Sequence, residues 1–454
     1  MTTRVTLAAL LLAALCSGAS AQQFIPIPTA GSWAYDITPD GEVVVGTDNN
    51  GGFIWRWKTD PMPTSIGGNE AVAISDDGTV VVGCIPDPGS GAEVAGRWTQ
   101  ATGWVSLGFL PNALSCPSKS NAYDVSGDGN TVVGLSWDGC SGRGFVWTQA
   151  TGMLELAVLG NGSNRASAIS SDGSKIGGFA QGASNRTPAL WNPDTTGQVI
   201  NMNIVGEMYG FSDDGSIVLG NANQNAFWMD TATLTPNFIN QLTAGWQGIP
   251  MDVNDDMDQI VGFDVSGTAR TAWRWTPSGG MENLQAFFTG LGMVGVPPLQ
   301  VSAAQSDDGS VIIGGYGAPF NSEGFIATFV PPTWVDTGNA LTGSLGNPVL
   351  VGTGELTAGS PTNLALTNGI DNTPLWLVVG FTELASPFKG GVLMPSPDIV
   401  LAGLSTDGNG QFQLPFPWPG GIPSGFKLHW QAWLIDGAGP SGFSATNGLT
   451  STTP

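Results

Sequence analysis

The sequence predicts an all-β protein: a seven-bladed β-propeller followed by a small β-sandwich. A short turn motif recurs seven times with a mean step of about 45 residues, which is the period of a four-stranded propeller blade. Runs of valine without polar alternation predict strands buried on both faces, as in sheets packed between neighbours. Glycine and proline supply 67 and 31 of the 454 residues, which suits short strands joined by tight turns.

The repeated unit is a Ser-x-Asp-Gly turn with a second glycine five positions after the turn position. Aspartate can hydrogen-bond its own backbone and glycine accepts positive φ, so the pair predicts a tight reversal between two strands. Methionine replaces the turn glycine in the sixth copy, so the tightness of that turn is in doubt, whereas the strand pair is not. The turn positions are Gly41, Gly78, Gly129, Gly173, Gly215, Met257 and Gly309.

An aromatic strand follows each turn and supplies a second hairpin. In the third copy, the strand ending at Trp147 runs into a turn over 148–152 and a short fourth strand over 153–156. Four strands per copy, buried on both faces as at 80–82, favour a closed ring over the runner-up, a β-solenoid. The tryptophans of these strands are expected in the blade cores. Segment 23–28, with Phe24 and Ile27 inward, is predicted to complete the last blade.

The frame Ser-x-Asp-Gly-x-x-Val-Val-Gly, followed by Phe-x-Trp-Thr and a Thr-Gly turn, resembles the HAF-type repeats of extracellular bacterial proteins. The resemblance covers residues 31–330. It implies a secreted, propeller-like array, and it brings no catalytic motif with it.

The periodicity ends after Phe329, and Pro331-Pro332 predicts a linker between a propeller over 22–330 and a second domain over 331–454. Strand-like segments between Gly and Pro turns predict a β-sandwich of jelly-roll character. Segments 343–350, 388–394 and 428–431 resemble a C-terminal module of many secreted bacterial proteins. The prolines at 417 and 419 predict a loop over 416–419. The predicted strands cover 348–352, 362–367, 375–381, 391–394, 411–414 and 427–435.

Residues 1–21 predict a secretory signal peptide, with Arg4, an apolar run over 5–15 and a small-x-small site ending at Ala21. Lipidation at Cys16 is the less favoured alternative, because a leucine precedes it. We therefore expect a secreted, extracellular or cell-surface protein that does not span the membrane, since no other apolar run is long enough. The three remaining cysteines predict a Cys116–Cys140 disulfide and one free thiol, with Cys84–Cys116 as the competing pairing.

The charge balance excludes nucleic acid as a partner. The chain has 36 acidic and 13 basic residues, a formal charge of -23, whereas phosphate binding needs a concentrated positive field. The sequence has one histidine and no nucleophile elbow, zinc-protease or P-loop motif, so no catalytic residue is predicted. His429 is expected to be structural.

Calcium is the one metal that the sequence suggests, and only weakly. A calcium loop needs several oxygens converging within one segment, whereas most repeat copies offer one or two acids, so the turn aspartates are expected to serve the turns. Asp255, Asp256 and Asp258 are the best calcium candidates, and no other cofactor is predicted. Trp137 and Trp246 lie outside the repeat frame and are the candidate binding residues, although packing is the more expected role.

The longest variable loops lie at 84–95, 109–120 and 135–143, on the face opposite the Asp-Gly turns, where binding is expected. We predict a secreted, non-enzymatic binding or surface-interaction protein for an extracellular glycan or protein. The alternative is a carbohydrate-active enzyme, a glycoside hydrolase or lyase, with carboxylates near the propeller channel. Glycoside hydrolysis needs two carboxyl groups about 5 to 9.5 Å apart, and the concentration of acids at solvated turns favours binding. A calcium-stabilised adhesin is a third hypothesis.

Overall fold

The computed structural model describes residues 22–453, apart from 112–117, 139–140, 160–161, 182–185, 201–204, 256, 278, 319–320, 331–332 and 424. The predicted signal peptide lies outside this part, as do Cys116 and Cys140. The chain divides into two compact units, Met1–Phe329 and Val330–Pro454. In the described residues, no helix is long and apolar enough to cross a membrane.

Unit 1 contains seven four-stranded antiparallel sheets within the described residues. The chain begins with β1 (Gln23–Pro26), which joins the last of these sheets. Sheet 1 comprises β2 (Trp33–Ile37), β3 (Val43–Asp48), β4 (Gly51–Arg56) and β5 (Thr64–Gly67). Sheet 2 comprises β6 (Glu70–Ile74), β7 (Val80–Pro86), β8 (Glu93–Thr99) and β9 (Gly103–Gly108). Sheet 3 comprises β10 (Ser120–Val125), β11 (Thr131–Asp138), β12 (Ser141–Thr148) and β13 (Gly152–Glu155).

Sheet 4 comprises β14 (Asn164–Ile169), β15 (Ile176–Gln181), β16 (Arg186–Trp191) and β17 (Gly197–Val199). Sheet 5 comprises β18 (Gly206–Phe211), β19 (Ile217–Ala222), β20 (Asn225–Asp230) and β21 (Pro236–Ile239). Sheet 6 comprises β22 (Gln247–Val253), β23 (Ile260–Ser266), β24 (Ala269–Thr276) and β25 (Gly280–Asn283), and helix α1 (Leu284–Gly290) follows it. Sheet 7 comprises β26 (Leu299–Gln305), β27 (Val311–Ala318), β28 (Asn321–Thr328) and β1.

These sheets form a closed ring. The first strands of consecutive sheets contact one another, and β26 of sheet 7 contacts β2 of sheet 1 in the same way. The Asp307 backbone N–H donates to the Pro39 carbonyl at 3.0 Å across this junction. A Cβ added to Gly41 would lie 2.9 Å from Val311, so the first turn packs closely against the last sheet. The first strands therefore surround a common axis, which is the predicted β-propeller.

The N-terminal strand closes sheet 7, as predicted. β1 pairs antiparallel with β28, from Gln23 opposite Thr328 to Pro26 opposite Phe325. The Phe24 ring stacks on Phe325 with centroids 5.3 Å apart, and Ile27 is buried. The first and last parts of the propeller are thus joined by backbone hydrogen bonds within one sheet.

The valines and tryptophans of the repeat fill the spaces between sheets. Val81 and Val82 are completely buried, as two-sided packing requires. Trp191 and Trp273 are almost completely buried, while Trp98 is partly buried against the core cluster that contains Val81. The prediction that these tryptophans serve the blade cores is confirmed.

The second glycine of the repeat is required by close backbone packing. Every first strand has a register shift at the same position, as between Ala71 and Ala73 in β6. A β-bulge of this kind bends the strand and brings it close to its neighbour. A Cβ on Gly83 would consequently lie only 2.0 Å from the Glu70 carbonyl oxygen. The same overlap occurs at Gly134, with the Asn121 carbonyl at 2.0 Å.

The Ser-x-Asp-Gly turns share one hydrogen-bond pattern. Ser75 Oγ donates to Asp77 Oδ1 at 2.8 Å and accepts the Val80 N–H at 3.0 Å, while Asp77 accepts the Thr79 N–H at 2.9 Å. The equivalent bonds recur around Asp40, Asp128, Asp172, Asp214 and Asp308. These six aspartates therefore serve the turns, as expected.

The sixth turn keeps its conformation without glycine. Met257 has φ 55°, close to the 67° of Gly78, and its N–H donates to the Asn254 carbonyl at 3.0 Å. Its side chain packs against the core cluster that contains Trp273. This packing offsets the cost of a left-handed conformation, about 1–2 kcal/mol for a residue with a Cβ. The tightness that the sequence put in doubt is retained.

Unit 2 is a two-layer β-sandwich, as predicted. Its strands are β29 (Trp334–Gly338), β30 (Val349–Thr353), β31 (Pro361–Thr367), β32 (Pro374–Gly380), β33 (Glu383–Phe388), β34 (Gly391–Pro395), β35 (Ile399–Ser405), β36 (Phe412–Pro417), β37 (Lys427–Ile435), β38 (Phe443–Ala445) and β39 (Gly448–Thr452). One sheet has the order β29-β39-β37-β32-β35, with β38 beside β37, and a smaller sheet has the order β30-β31-β36. Leu364 and Leu366 of the smaller sheet share a core with Leu377 and Trp430 of the larger one.

The loop predicted at 416–419 is partly wrong. β36 continues through Phe416 and Pro417, and the chain leaves the strand only at Trp418, which is buried. β36 is an edge strand that pairs with β31 on one side. Proline, which has no N–H to donate, is tolerated in an edge strand of this kind.

Candidate functional site

The propeller has two faces with different connections. The Ser-x-Asp-Gly turns join the first and second strands of each sheet and define the turn face. The connections between second and third strands, and those between sheets, emerge on the opposite side, the loop face. The side chains around the axis therefore form layers from one face to the other, contributed by the first strand of each sheet.

Four aspartates meet at the axis on the turn face. This axial cluster consists of Asp76, Asp213, Asp255 and Asp307, each at the second position of its repeat turn. Carboxylate oxygens of Asp213, Asp255 and Asp307 all lie within 4.8 Å of one another. Asp76 Oδ2 accepts a hydrogen bond from Ser171 Oγ at 2.6 Å, which links sheets 2 and 4 beside Gly127 of sheet 3. Three carboxylates this close can share protons or contact one divalent cation.

Crowding changes the acidity of the axial cluster. Burial, followed by repulsion from Asp307 and Asp255, raises the pKa of Asp213 to about 7. Burial, followed by repulsion from Asp255 and Asp76, raises the pKa of Asp307 to about 7 as well. Near neutral pH the cluster therefore carries less negative charge than its four carboxyl groups would give separately.

Three further aspartates, the inner aspartates Asp36, Asp124 and Asp252, lie nearer the middle of the first strands. Asp36 Oδ2 accepts the N–H of Ile74 in the next sheet at 2.8 Å, and Oδ1 accepts the N–H of Ile37 at 2.8 Å. The other two make the same pair of bonds. Each carboxyl group thus joins two neighbouring sheets and is already occupied by backbone.

Burial dominates the acidity of the inner aspartates. It raises the pKa of Asp36 to about 6 and that of Asp124 to about 8, although the backbone bonds oppose the shift. The pKa of Asp252 is raised well above its ordinary value for the same reason. We assign these groups a structural role, because both oxygens of each carboxyl group accept backbone hydrogen bonds.

Three tyrosines form the next layer toward the loop face. The tyrosine layer consists of Tyr35, Tyr123 and Tyr209, three of the four tyrosines in the sequence. Each lies at the bulge of its first strand, and each is partly exposed. Burial raises the pKa of Tyr123, the neighbouring Arg165 of sheet 4 opposes the rise, and Glu207 and Glu70 of sheets 5 and 2 add to it. Three partly exposed tyrosines from sheets 1, 3 and 5 therefore lie at this level, and burial raises the pKa of each phenol group, to about 12 for Tyr35.

A buried ion-pair network adjoins the tyrosine layer. The carboxylate of Glu207, whose side chain is 2% exposed, pairs with Arg165 and, at 3.1 Å, with Arg186. Ser167 Oγ donates to the same carboxylate. The Arg165 guanidinium lies over the Tyr123 ring, 5.3 Å from its centroid. The network holds Tyr123 in place, and it leaves Glu207 fully engaged.

A second pair of carboxylates brackets the thiol of Cys84. Cys84 Sγ lies 3.3 Å from Glu93 Oε1 and 3.9 Å from Glu70 Oε2. Burial, followed by repulsion from Glu93, raises the pKa of Glu70. Burial also raises the pKa of the Cys84 thiol, which is a free cysteine and is 1% exposed. The protein's own sulfur therefore occupies the space between these two acids.

The structure separates the predicted calcium ligands. Asp255 belongs to the axial cluster, whereas Asp258 accepts a hydrogen bond from Asn254 Nδ2 at 2.7 Å and is outside the group of three close carboxylates. Asp256 lies outside the described residues. The three carboxylates that lie close enough to contact one cation are instead Asp213, Asp255 and Asp307, from three different sheets.

The remaining predicted residues have separate positions. Trp137 is 37% exposed near the end of β11, and Trp246 is partly buried in the connection before β22, so both are on the loop face. The two cysteines of the predicted Cys116–Cys140 disulfide lie outside the described residues. His429 is in β37, with Nδ1 3.0 Å from Thr450 Oγ1.

Sequence signals for the axial groups are weak. The x position of the turn is acidic in copies two, five, six and seven, but it is Pro39, Gly127 and Ser171 in the others. Tyr-Asp precedes the turn in copies one and three only. Neither pattern recurs in every copy, so neither appeared as part of the repeat.

No protein-family model and no curated protein sequence matches this chain. Among solved structures, the chain is similar to TolB from Acinetobacter baumannii. The two sequences are 11% identical, the match covers 63% of this chain and 78% of that chain, and the TM-score is 0.37. Oligogalacturonate lyase from Vibrio parahaemolyticus is 11% identical, with 68% and 92% covered and a TM-score of 0.44. The β-propeller domain of the Trilobed protease from Pyrococcus furiosus is 9% identical, with 66% and 96% covered and a TM-score of 0.41.

Proposed function

We propose that this chain is a secreted, non-enzymatic binding protein that recognises an extracellular glycan or protein with the loop face of its propeller. The observation that carries the proposal is the tyrosine layer. Three partly exposed tyrosines lie on the first strands of sheets 1, 3 and 5. A phenol group offers an apolar ring and a hydroxyl that donates and accepts, which suits recognition of polar ligands.

The carboxylates around this layer support binding rather than hydrolysis. Glu207 is engaged by two arginines and a serine, and Asp36 and Asp124 bind backbone N–H groups of neighbouring sheets. A glycosidase needs one carboxyl group to protonate the leaving oxygen and a second to act on the opposite side of the sugar. Groups whose lone pairs are occupied by fixed partners are poorly placed for this chemistry.

The carbohydrate-active enzyme remains the alternative because of Glu70 and Glu93. They are two neighbouring carboxyl groups, and the raised pKa of Glu70 suits a general acid. Against this, the buried Sγ of Cys84 lies between them and contacts both. A glycosidic oxygen would have to occupy the same space, so we favour binding.

The test is an array of extracellular glycans and peptides probed with the chain from Gln22 onward. A triple variant, Tyr35→Phe, Tyr123→Phe and Tyr209→Phe, removes the hydroxyls and keeps the rings. We expect it to bind the array ligand about tenfold more weakly or worse, since each lost hydrogen bond contributes about 0.5–1.5 kcal/mol. Thr59→Ala, in an exposed turn on the turn face, is the matched control and should bind normally.

Two results would overturn the proposal. One is an array without any ligand above background. The other is a bound glycan that the wild type cleaves, with the cleavage lost in Glu70→Gln or Glu93→Gln, which would establish the enzyme instead.

A further inference from the structure

A groove opens on the loop face between sheets 6 and 7. Its volume is about 410 Å³, which is within the range of small-molecule sites. Arg270 and Thr271, at the start of β24, line it together with Tyr316 and Gly317, at the end of β27. The connection between the two sheets contributes prolines at 297–298. The groove therefore belongs to the recognition face, away from the axial cluster.

The shape of the groove is fixed by the protein itself. Gln285 Nε2 donates to the Val296 carbonyl at 3.0 Å, which ties helix α1 to the connecting segment. Gln300 Nε2 donates to the Gly317 carbonyl across sheet 7. Asn283 Oδ1 caps helix α1. Because these bonds hold helix α1, the connecting segment and the end of β27, a ligand does not have to order these parts on binding, which lowers the cost of association.

Arg270 gives the groove a positive charge. Its side chain is exposed, and no carboxylate among the described residues forms an ion pair with it. The guanidinium lies over Phe263, 5.6 Å from the ring centroid. Glu323 is a nearby acid, and its carboxylate accepts a hydrogen bond from the Tyr316 hydroxyl at 2.5 Å.

This charge is complementary to a carboxylate. The whole chain has a formal charge of -23, so its overall field repels anions. An anionic ligand is attracted only where it can contact a cation that has no carboxylate partner. A guanidinium binds a planar carboxylate through two parallel hydrogen bonds, which an ammonium group cannot do. The Arg270 guanidinium therefore matches the carboxylate of a ligand, and it would match a phosphate group in the same way.

The other lining groups suit a sugar ring. The partly exposed ring of Tyr316 and the prolines at 297–298 offer apolar surface to the C–H face of a sugar. Asn283, Gln285 and Gln300 each use one amide atom in the bonds described above, and the other amide atom of each side chain remains for sugar hydroxyls. We propose that this groove binds a uronate, a sugar that carries a carboxylate, with Arg270 holding the carboxylate; this inference rests on the proposed function and names its ligand class.

The experiment measures binding of short uronates to the full chain by isothermal titration calorimetry. The probes are trisaccharides of glucuronate, galacturonate and mannuronate, each compared with the neutral trisaccharide that lacks only the carboxylates. We expect at least one uronate to bind at least tenfold more tightly than its neutral counterpart. Arg270→Gln should reduce its affinity to the neutral level, and Arg270→Lys should give an intermediate value because it keeps the charge and loses the fork.

Arg56→Gln, at an exposed position in sheet 1, is the matched control and should bind like the wild type. Equal affinity for charged and neutral sugars, binding of no uronate, or unchanged binding in Arg270→Gln would overturn the inference. An array ligand that depends on the tyrosine layer but not on Arg270 would refute the uronate groove and leave the proposed function standing. An array without ligands would refute both.

Discussion

The axial cluster predicts that the propeller is less stable at pH 8 than at pH 5, and that one substitution removes much of this difference. Asp213 faces Asp255, Asp307 and Asp76 on the turn face and Asp252 above them. Its pKa is raised to about 7 in the folded protein, from an ordinary value near 3.8. Its protonated form is favoured by folding, so this contribution is complete below about pH 4 and is lost as the pH rises through 7.

The magnitude follows from the shift. A change from 3.8 to about 7 corresponds to about 4 kcal/mol at pH 8 if the group were fully buried. Asp213 is partly exposed, and solvent screening reduces the contribution to about 1–2 kcal/mol. For a domain of this size, that is a difference in melting temperature of about 3 °C. Asp213→Asn removes the charge, and its amide can donate to Asp255.

The assay is differential scanning calorimetry at pH 5 and pH 8, with EDTA present so that no cation compensates the carboxylates. We expect Asp213→Asn to raise the melting temperature of the propeller by about 3 °C at pH 8 and by about 1 °C at pH 5. Asp128→Asn is the control. Hydrogen bonds from Ser126 and Asn130 lower the pKa of Asp128, so its loss should destabilise at pH 8.

Two outcomes would refute this reasoning. The first is a wild-type melting temperature that is the same at both pH values, and the second is an Asp213→Asn variant that melts lower at pH 8. The hypothesis of a calcium-stabilised adhesin predicts, separately, that EDTA lowers the melting temperature of the wild type. No shift with EDTA would remove it.

The other predictions concern packing and are tested by calorimetry at pH 7. Gly83→Ala should cost more than 3 kcal/mol, because the new Cβ overlaps a carbonyl oxygen at 2.0 Å, whereas Gly103→Ala, with φ 65° and no neighbour within 4 Å, should cost about 1 kcal/mol; similar losses would contradict the overlap. Met257→Gly should be about 1 kcal/mol more stable than Met257→Ala, because both lose the side chain and only glycine relieves φ 55°; equal stabilities would disprove strain there. Glu207→Gln should cost about 3 kcal/mol by leaving Arg165 unpaired, and a loss below 1 kcal/mol would mean that the network contributes little.

Much of the propeller could be predicted from local chemistry. The Asp-Gly turn requires a positive φ, and the glycine five positions later marks a place where strands approach too closely for a Cβ. Both constraints act within one sheet, so each copy of the repeat shows them. The closing strand could be predicted because the last repeat needs a fourth strand to complete its sheet. The segment with Phe24 and Ile27 offers apolar side chains for that position.

The axial groups could not be predicted, because they depend on closure of the ring. Asp213 and Asp307 are far apart in the sequence and meet only because first strands converge on one axis. The direction of Tyr123 depends on a bulge, which breaks the alternation on which strand patterns are based. The turn position that carries an axial aspartate in four copies carries proline, glycine or serine in the other three. The aspartate is therefore not a recurring feature of the repeat.

The pairing of β1 with β28 also determines when the propeller can finish folding. Gln23 finds its partner, Thr328, only after about 300 intervening residues have been made, and such distant contacts form slowly. Until then, sheet 7 has a free outer edge that could accept a strand from another molecule. A peptide with the sequence of β1, added during refolding, should therefore compete for this edge and leave the chain's own first strand displaced.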